Sequence, residues 1–210
     1  MAQIFSEQLI LFLKVSVLFI VIVVAMVIGI ARWQTDYPNA IGEPVPQPIP
    51  FSHKHHVGDD GIDCRYCHTG VETEAFAGIP SSEICMTCHS QLFSDALILS
   101  PLRQSARTHQ PLAWTRIYDL PDFVYFDHSI HIRKGVACIE CHGHIDRMPL
   151  TARVAPITMQ WCLDCHRNPV PHLHAQANIF SMDAATLERP LPAYHLLSER
   201  RRTDCSTCHR

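Results

Sequence analysis

Every cysteine in this chain stands in the pattern Cys-x-x-Cys-His. The ten thiols form five clusters: Cys64, Cys67 and His68; Cys85, Cys88 and His89; Cys138, Cys141 and His142; Cys162, Cys165 and His166; Cys205, Cys208 and His209. Residues three and four apart share one face of a helical turn. Two thiols so spaced can bond the two vinyl groups of one porphyrin, and the histidine that follows reaches its iron as proximal ligand. This is the spacing of c-type haem attachment, and it predicts five covalently bound haems c. A lone Cys-x-x-Cys would be weak evidence, because zinc knuckles, redox dithiols and disulfides use it too. Five knuckles would leave one unpaired in zinc ribbons, and neither zinc nor a disulfide framework calls for a histidine after each pair.

Fifteen histidines are present. Five are taken as proximal ligands, and a low-spin electron-transfer haem needs a second axial ligand, usually His or Met. An internal repeat nominates candidates. Phe51-x-His53-x-x-His56 precedes the first two clusters, and Phe126-x-His128-x-x-His131 precedes the third and fourth. A shortened copy, Tyr194-His195, precedes the fifth, with Ser198 where the second histidine would fall. The distal candidates are therefore His53, His56, His128, His131 and His195. Met159 is a possible substitute, with Met148 and Met182 also available; a methionine would raise its haem's potential. His55, His109, His144, His172 and His174 are each expected to be surface or propionate-bonding histidines.

The elements that must hold these groups are legible in outline. Residues 9–31 are apolar apart from Lys14, Ser16 and Gly29, and about 20 residues cross a bilayer core. The stretch is too long for most cleaved signal segments and no A-x-A site follows, so it is expected to be an uncleaved anchor. Lys14 would snorkel toward one headgroup layer, and Arg32 and Trp33 would mark the other interface. Covalent haem attachment on the outer side of a bacterial inner membrane would put the N-terminus in the cytoplasm and the haem domain in the periplasm. All fifteen prolines follow the anchor and aromatic content is only 8%. A chain so built could hardly form a large conventional core, and five porphyrins would replace much of it. The expected fold is mainly α with much irregular chain, short helices at each cluster and few strands.

Five segments are expected: an anchor at 1–33, a Pro-rich linker at 34–50, a first dihaem module with a haem-free insert at 51–125, a second dihaem module at 126–192, and a fifth-haem segment at 193–210. Alternating Pro44, Pro46, Pro48 and Pro50 suggest a polyproline II strut off the membrane; an extended loop lying on the protein body is the competing form. In the insert, 122–126 suits an extended edge segment, and its aromatics would pack on haem faces or meet a partner. A short helix is expected near 181–187. The formal charge of −3 says little about partners, and no basic patch suggests nucleic acid.

The Phe-x-His-x-x-His-then-cluster arrangement resembles the small periplasmic multihaem cytochromes. By that likeness His53, His128 and His195 would serve haems 1, 3 and 5, numbered by cluster, while His56 and His131 would reach haems 2, 3 or 4. The longer motifs Pro-Phe-Ser-His-Lys-His-His (50–56), Ile-Asp-Cys-Arg-Tyr-Cys-His (62–68), Ile-Cys-Met-Thr-Cys-His-Ser (84–90), Leu-Pro-Asp-Phe-Val-Tyr-Phe-Asp-His-Ser-Ile-His (120–131) and Trp-Cys-Leu-Asp-Cys-His-Arg (161–167) resemble the pentahaem cytochrome subunit of bacterial alternative complex III. The resemblance covers nearly the whole chain. It implies an electron-carrier subunit of a quinol-oxidising membrane complex. The partners it implies are a large iron–sulfur subunit, polytopic quinol-binding subunits, and a monohaem cytochrome c or terminal oxidase as acceptor.

Other classes make different demands. A membrane-anchored multihaem quinol dehydrogenase would oxidise quinol itself and feed a periplasmic reductase. A pentahaem nitrite reductase would carry a Cys-x-x-Cys-Lys site with an open iron, and no such cluster occurs in the sequence. With five irons each capped on both sides, the expectation is a carrier with no catalytic residue and no open haem.

Overall fold

The computed structural model describes residues 5–36, 40–186 and 197–209. It divides into two units, Met1–Ala40 and Ile41–Arg210. The first holds helix α1, Glu7–Asp36. Over Glu7–Arg32 this helix is long and apolar enough to cross a membrane, and none of that stretch is buried in the protein.

The second unit is built from short helices: α2 (Cys64–Cys67), α3 (Ser82–His89), α4 (Ser100–Thr108), α5 (His128–Arg133), α6 (Cys138–His142), α7 (Met159–Arg167), α8 (Glu199–Arg202) and α9 (Cys205–Cys208). Among the described residues there are no strands, only isolated bridges such as Val124 with His209 and Val136 with Leu173. Each cluster starts or ends a helix of four to nine residues. Isolated helices this short are unstable in water, because nucleation outweighs so few hydrogen bonds. Local caps supply part of the missing stability. The Asp63 carboxylate accepts from Arg65 N at 2.8 Å ahead of α2. Asp204 accepts from Ser206 N at 3.0 Å ahead of α9. Asp127 caps α5 and Thr158 caps α7 in the same way.

The apolar interior is small. Val71, Ile132, Ala137 and Ile179 form its centre, with Ala77, Cys138, Ile139 and Phe180 packed around it. It ties the first cluster's loop to α5, α6 and the 179–180 segment. Beside it, a turn of π-helix at Lys54–Asp59 lies against the turn Ile145–Arg147. A Cβ at Gly58 would collide with the Asp146 carbonyl, so only glycine permits that approach.

The proline-rich segment is not a strut. From residue 41 it lies along the haem-domain body, the second of the two forms the sequence allowed. Gly42 N donates to Arg153 O at 2.8 Å and Val45 N to Thr151 O at 3.3 Å. The Gln47 amide exchanges two hydrogen bonds with the Thr115 backbone, at 2.8 and 2.9 Å, and Ile49 is buried. Proline removes backbone donors, and two of those that remain, at Gly42 and Val45, find carbonyls of the body. A spacer role separating the first cluster from the anchor therefore has no support in this segment.

The insert between the modules contains α4, a helix not expected from the sequence. It packs on α3 through a buried contact between the Ser82 and Ser105 hydroxyls at 2.5 Å, and Leu102 is buried beneath it. Residues 122–126 do not run extended throughout: Asp122 and Phe123 form a turn closed by Val124 N to Pro121 O at 2.8 Å, and the chain pairs with the fifth cluster only from Val124, through Tyr125 N to Cys208 O at 2.8 Å. Near residues 181–187 the chain makes one 3-10 turn, Ala184–Thr186.

Candidate haem-binding site

The repeat folds twice into the same local shape. Phe51 sits edge-on to His53 at 4.9 Å between ring centres and stacks on His56 at 4.5 Å. Phe126 sits edge-on to His128 at 4.7 Å and stacks on His131 at 4.6 Å. One turn of helix places the two histidines on one face, and the phenyl ring two residues upstream wedges between them. His56 Nδ1 then contacts Ser52 O at 2.9 Å, and His131 Nδ1 contacts Asp127 O at 2.7 Å.

These histidines face the histidines of the clusters. The ring centres of His53 and His68 are 6.4 Å apart with planes 11° from parallel. His56 and His89 are 6.1 Å apart at 65°. His131 and His166 are 6.1 Å apart at 46°. These separations suit an iron between the rings: a metal–imidazole bond of about 2.0 Å and about 1.2 Å from ring nitrogen to ring centre, both doubled, give about 6.4 Å. His128 lies close enough to His142 for their charges to interact. His195, the candidate for the fifth cluster, lies outside the described residues.

Hydrogen bonds at the other ring nitrogen set the tautomer. The His68 ring nitrogen Nδ1 contacts Gly78 O at 2.7 Å, that of His89 contacts Leu92 O at 3.1 Å, and that of His166 contacts Arg202 O at 2.8 Å. The Nδ1 of His128 contacts Ala75 O at 3.0 Å, and that of His209 contacts Phe123 O at 3.3 Å. A carbonyl can only accept, so Nδ1 carries the proton and the Nε2 lone pair is left for a metal. His53 differs: its Nδ1 meets the Thr151 hydroxyl at 2.9 Å. Burial also disfavours the charged form of two of the rings. It brings His53 down to about 4, helped by the neighbouring His68, His142 and His56. It brings His142 down to about 4 as well, helped by His128 and His68.

All ten thiols stand unbonded, and each pair opens from one turn of helix. Among the described residues no three His, Cys, Asp or Glu side chains converge as a zinc centre would require. The residues therefore fit haem: each thiol pair stands on a helix with an imidazole following it, and at the first, second and fourth clusters a second imidazole from another element faces the first. Bound there, haem would supply one-electron chemistry. The chain's own part would be to present a pair of imidazoles to the irons of the first, second and fourth clusters.

The remaining histidines keep different company. His172 and His174 both grip Glu140, each at 2.8 Å. His55 lies 3.6 Å from Asp60, His109 lies 3.7 Å from Glu83, and His144 lies 3.4 Å from Asp146. Met159 is 67% exposed at the start of α7, and Met182 lines a cavity of about 430 Å³ beside Cys64. The insert's aromatics brace the histidines. Tyr118 stands edge-on to His142 at 5.2 Å and donates to Cys141 O at 2.9 Å. Phe123 lies 5.9 Å from His209, and Trp114 lies edge-on to Phe51 at 6.5 Å. Sequence reasoning did not single out Thr151 or the carbonyls of Ala75, Gly78 and Arg202. A carbonyl carries no residue-type signature, so no sequence signal could have found those three.

Residues 124–210, which hold the last three clusters, match the family described as cytochrome c7 and related cytochrome c. That region is a cytochrome c7-like multihaem domain. The chain is also similar to the multihaem cytochrome c subunit of menaquinone reductase from Nitratidesulfovibrio vulgaris. The two are 35% identical over 130 residues, which is 61% of this chain and 59% of that protein. The chain thus spans about three-fifths of the relative's length.

Proposed function

We propose that this chain is a membrane-anchored pentahaem relay subunit of a quinone-linked respiratory complex of the alternative complex III type. It takes electrons from an iron–sulfur, quinol-oxidising partner and passes them to a cytochrome c or a terminal oxidase. One observation carries the reading: three histidine pairs stand 6.1 to 6.4 Å apart across the clusters. An iron capped on both sides by imidazole has no place for substrate, so it exchanges electrons and does nothing else. Helix α1 holds the domain to the bacterial inner membrane, with the haems on the periplasmic side where they are attached. The relative's name, a menaquinone reductase subunit, supports a quinone-linked complex. It also favours a second reading of direction, with electrons moving toward menaquinone. A bis-imidazole relay runs either way, and the partners' potentials set the direction.

The test is gentle detergent extraction of the full chain followed by identification of co-purifying subunits and quinol reduction assays. The expected result is a covalent haem count of five, an iron–sulfur partner and polytopic partners, and haem reduction by menaquinol only in the intact complex. Rapid reduction of the isolated chain by a quinol analogue would instead make it an anchored quinol dehydrogenase.

A further inference from the structure

The two dihaem modules hold each other's distal histidine. His53, of the first module, leans on the Thr151 hydroxyl of the second at 2.9 Å. His128, of the second, leans on the Ala75 carbonyl of the first at 3.0 Å, and the His128 backbone N–H reaches the same carbonyl at 3.1 Å. Gly78, three residues along that loop, orients His68. The exchange has the form of a local twofold contact, in which equivalent parts of two copies meet. The first and third clusters therefore meet at the module interface.

The other neighbours follow from one helical turn and two staples. His53 and His56 are three residues apart, and they face His68 and His89. Clusters 1 and 2 are adjacent for that reason. The Tyr66 hydroxyl also meets the Thr87 hydroxyl at 2.9 Å between them. His128 and His131, three residues apart, make clusters 3 and 4 adjacent in the same way, with His131 facing His166. Cluster 4 is stapled to cluster 5 by Arg202. Its carbonyl contacts His166 Nδ1 and its Nε donates to His166 O, both at 2.8 Å. The next helix is tied on by Thr207 Oγ1 to Arg201 O at 2.7 Å.

We infer that the five haems form one unbranched line in the order 2–1–3–4–5, so that electrons enter and leave at haem 2 and haem 5. The order breaks the sequence order at its start, because the local twofold puts haem 1 inside and turns haem 2 outward. This rests on the relay reading. Its test uses only an artificial reductant, so it fails or stands independently of any partner.

The decisive variant removes haem 2 by Cys85→Ala with Cys88→Ala in the full-length holoprotein, with haem number checked by mass spectrometry. Reduction by dithionite is followed in stopped flow. The line 2–1–3–4–5 leaves four connected haems that reduce in one equilibrating phase. A line in sequence order would strand haem 1, and one haem's share of the absorbance change would lag as a separate slow phase; that result overturns the proposal. Cys64→Ala with Cys67→Ala gives the converse, with haem 2 left lagging. Should these variants fail to mature, iron positions in the holoprotein by electron cryomicroscopy decide the matter. The iron of haem 1 between those of haems 2 and 3 supports the order, and the iron of haem 2 between those of haems 1 and 3 refutes it.

Discussion

Replacing Phe126 by leucine should disturb two haems at once, and they should be haems 3 and 4. The ring contacts His128 at 4.7 Å and His131 at 4.6 Å, and those histidines belong to different clusters. An aromatic pair contributes about 0.5–1.5 kcal/mol beyond area burial. Phe126 is 38% exposed, so the lower half of that range applies. Each of the two sites then loses about 0.5–1 kcal/mol of ligand orientation. Only the part that differs between ferric and ferrous iron shifts a potential. With 59 mV for each tenfold change in a one-electron equilibrium, each shift should stay below about 40 mV. The assay is a spectroelectrochemical titration with parallel electron paramagnetic resonance. Phe126→Leu should move two of the five components, Phe51→Leu should move a different two, and the double variant should move four. Haem 5, whose His209 is touched by neither ring, should not respond. A variant that shifted one component, or all five alike, would refute the view that each phenyl ring positions a pair of distal ligands.

Other consequences are open to direct measurement. The near-parallel rings of His53 and His68, at 11°, should give haem 1 an ordinary rhombic ferric spectrum, while the 65° between His56 and His89 should give haem 2 a strongly anisotropic one; His56→Met should abolish the anisotropic signal and raise one potential. The Asp63 carboxyl is held below the usual carboxylate range by its hydrogen bond to Arg65, and that of Asp204 by its hydrogen bonds to Ser206. Because folded-state values are depressed, the helix caps are intact above the ordinary carboxylate pKa of about 3.9 and fail as pH falls through the lower folded values. Circular dichroism should show helix loss below that point; in Asp63→Asn, whose amide does not titrate, the share of that acid transition due to α2 should disappear. Gln47→Ala removes the double bond to Thr115; it should cost about 0.5–1.5 kcal/mol and expose residues 41–50 to limited proteolysis while the haem spectra stay unchanged.

The sequence by itself determined the chemistry of the sites. Ten cysteines spaced for one helical turn, each pair followed by histidine, admit few uses, and the spacing needs no long-range contact to be read. The Phe-x-His-x-x-His repeat likewise singled out His53, His56 and His131, which the fold brings opposite His68, His89 and His166, because a local motif folds locally. The apolar run of α1 was legible for the same reason, as was the scarcity of strands in a proline-rich chain.

Only the tertiary structure decided how the local pieces meet. That His56 faces His89 and His131 faces His166 depends on how far each helix lies from the next cluster, which spacing does not encode. The proline segment was ambiguous because polyproline geometry is the same in solvent and against a surface; the carbonyls of Thr151 and Arg153 resolved it. The exchange of Thr151 and Ala75 between modules places haem 1 beside haem 3. It rests on one hydroxyl and one backbone carbonyl, groups found in every protein, whose meaning comes from position alone.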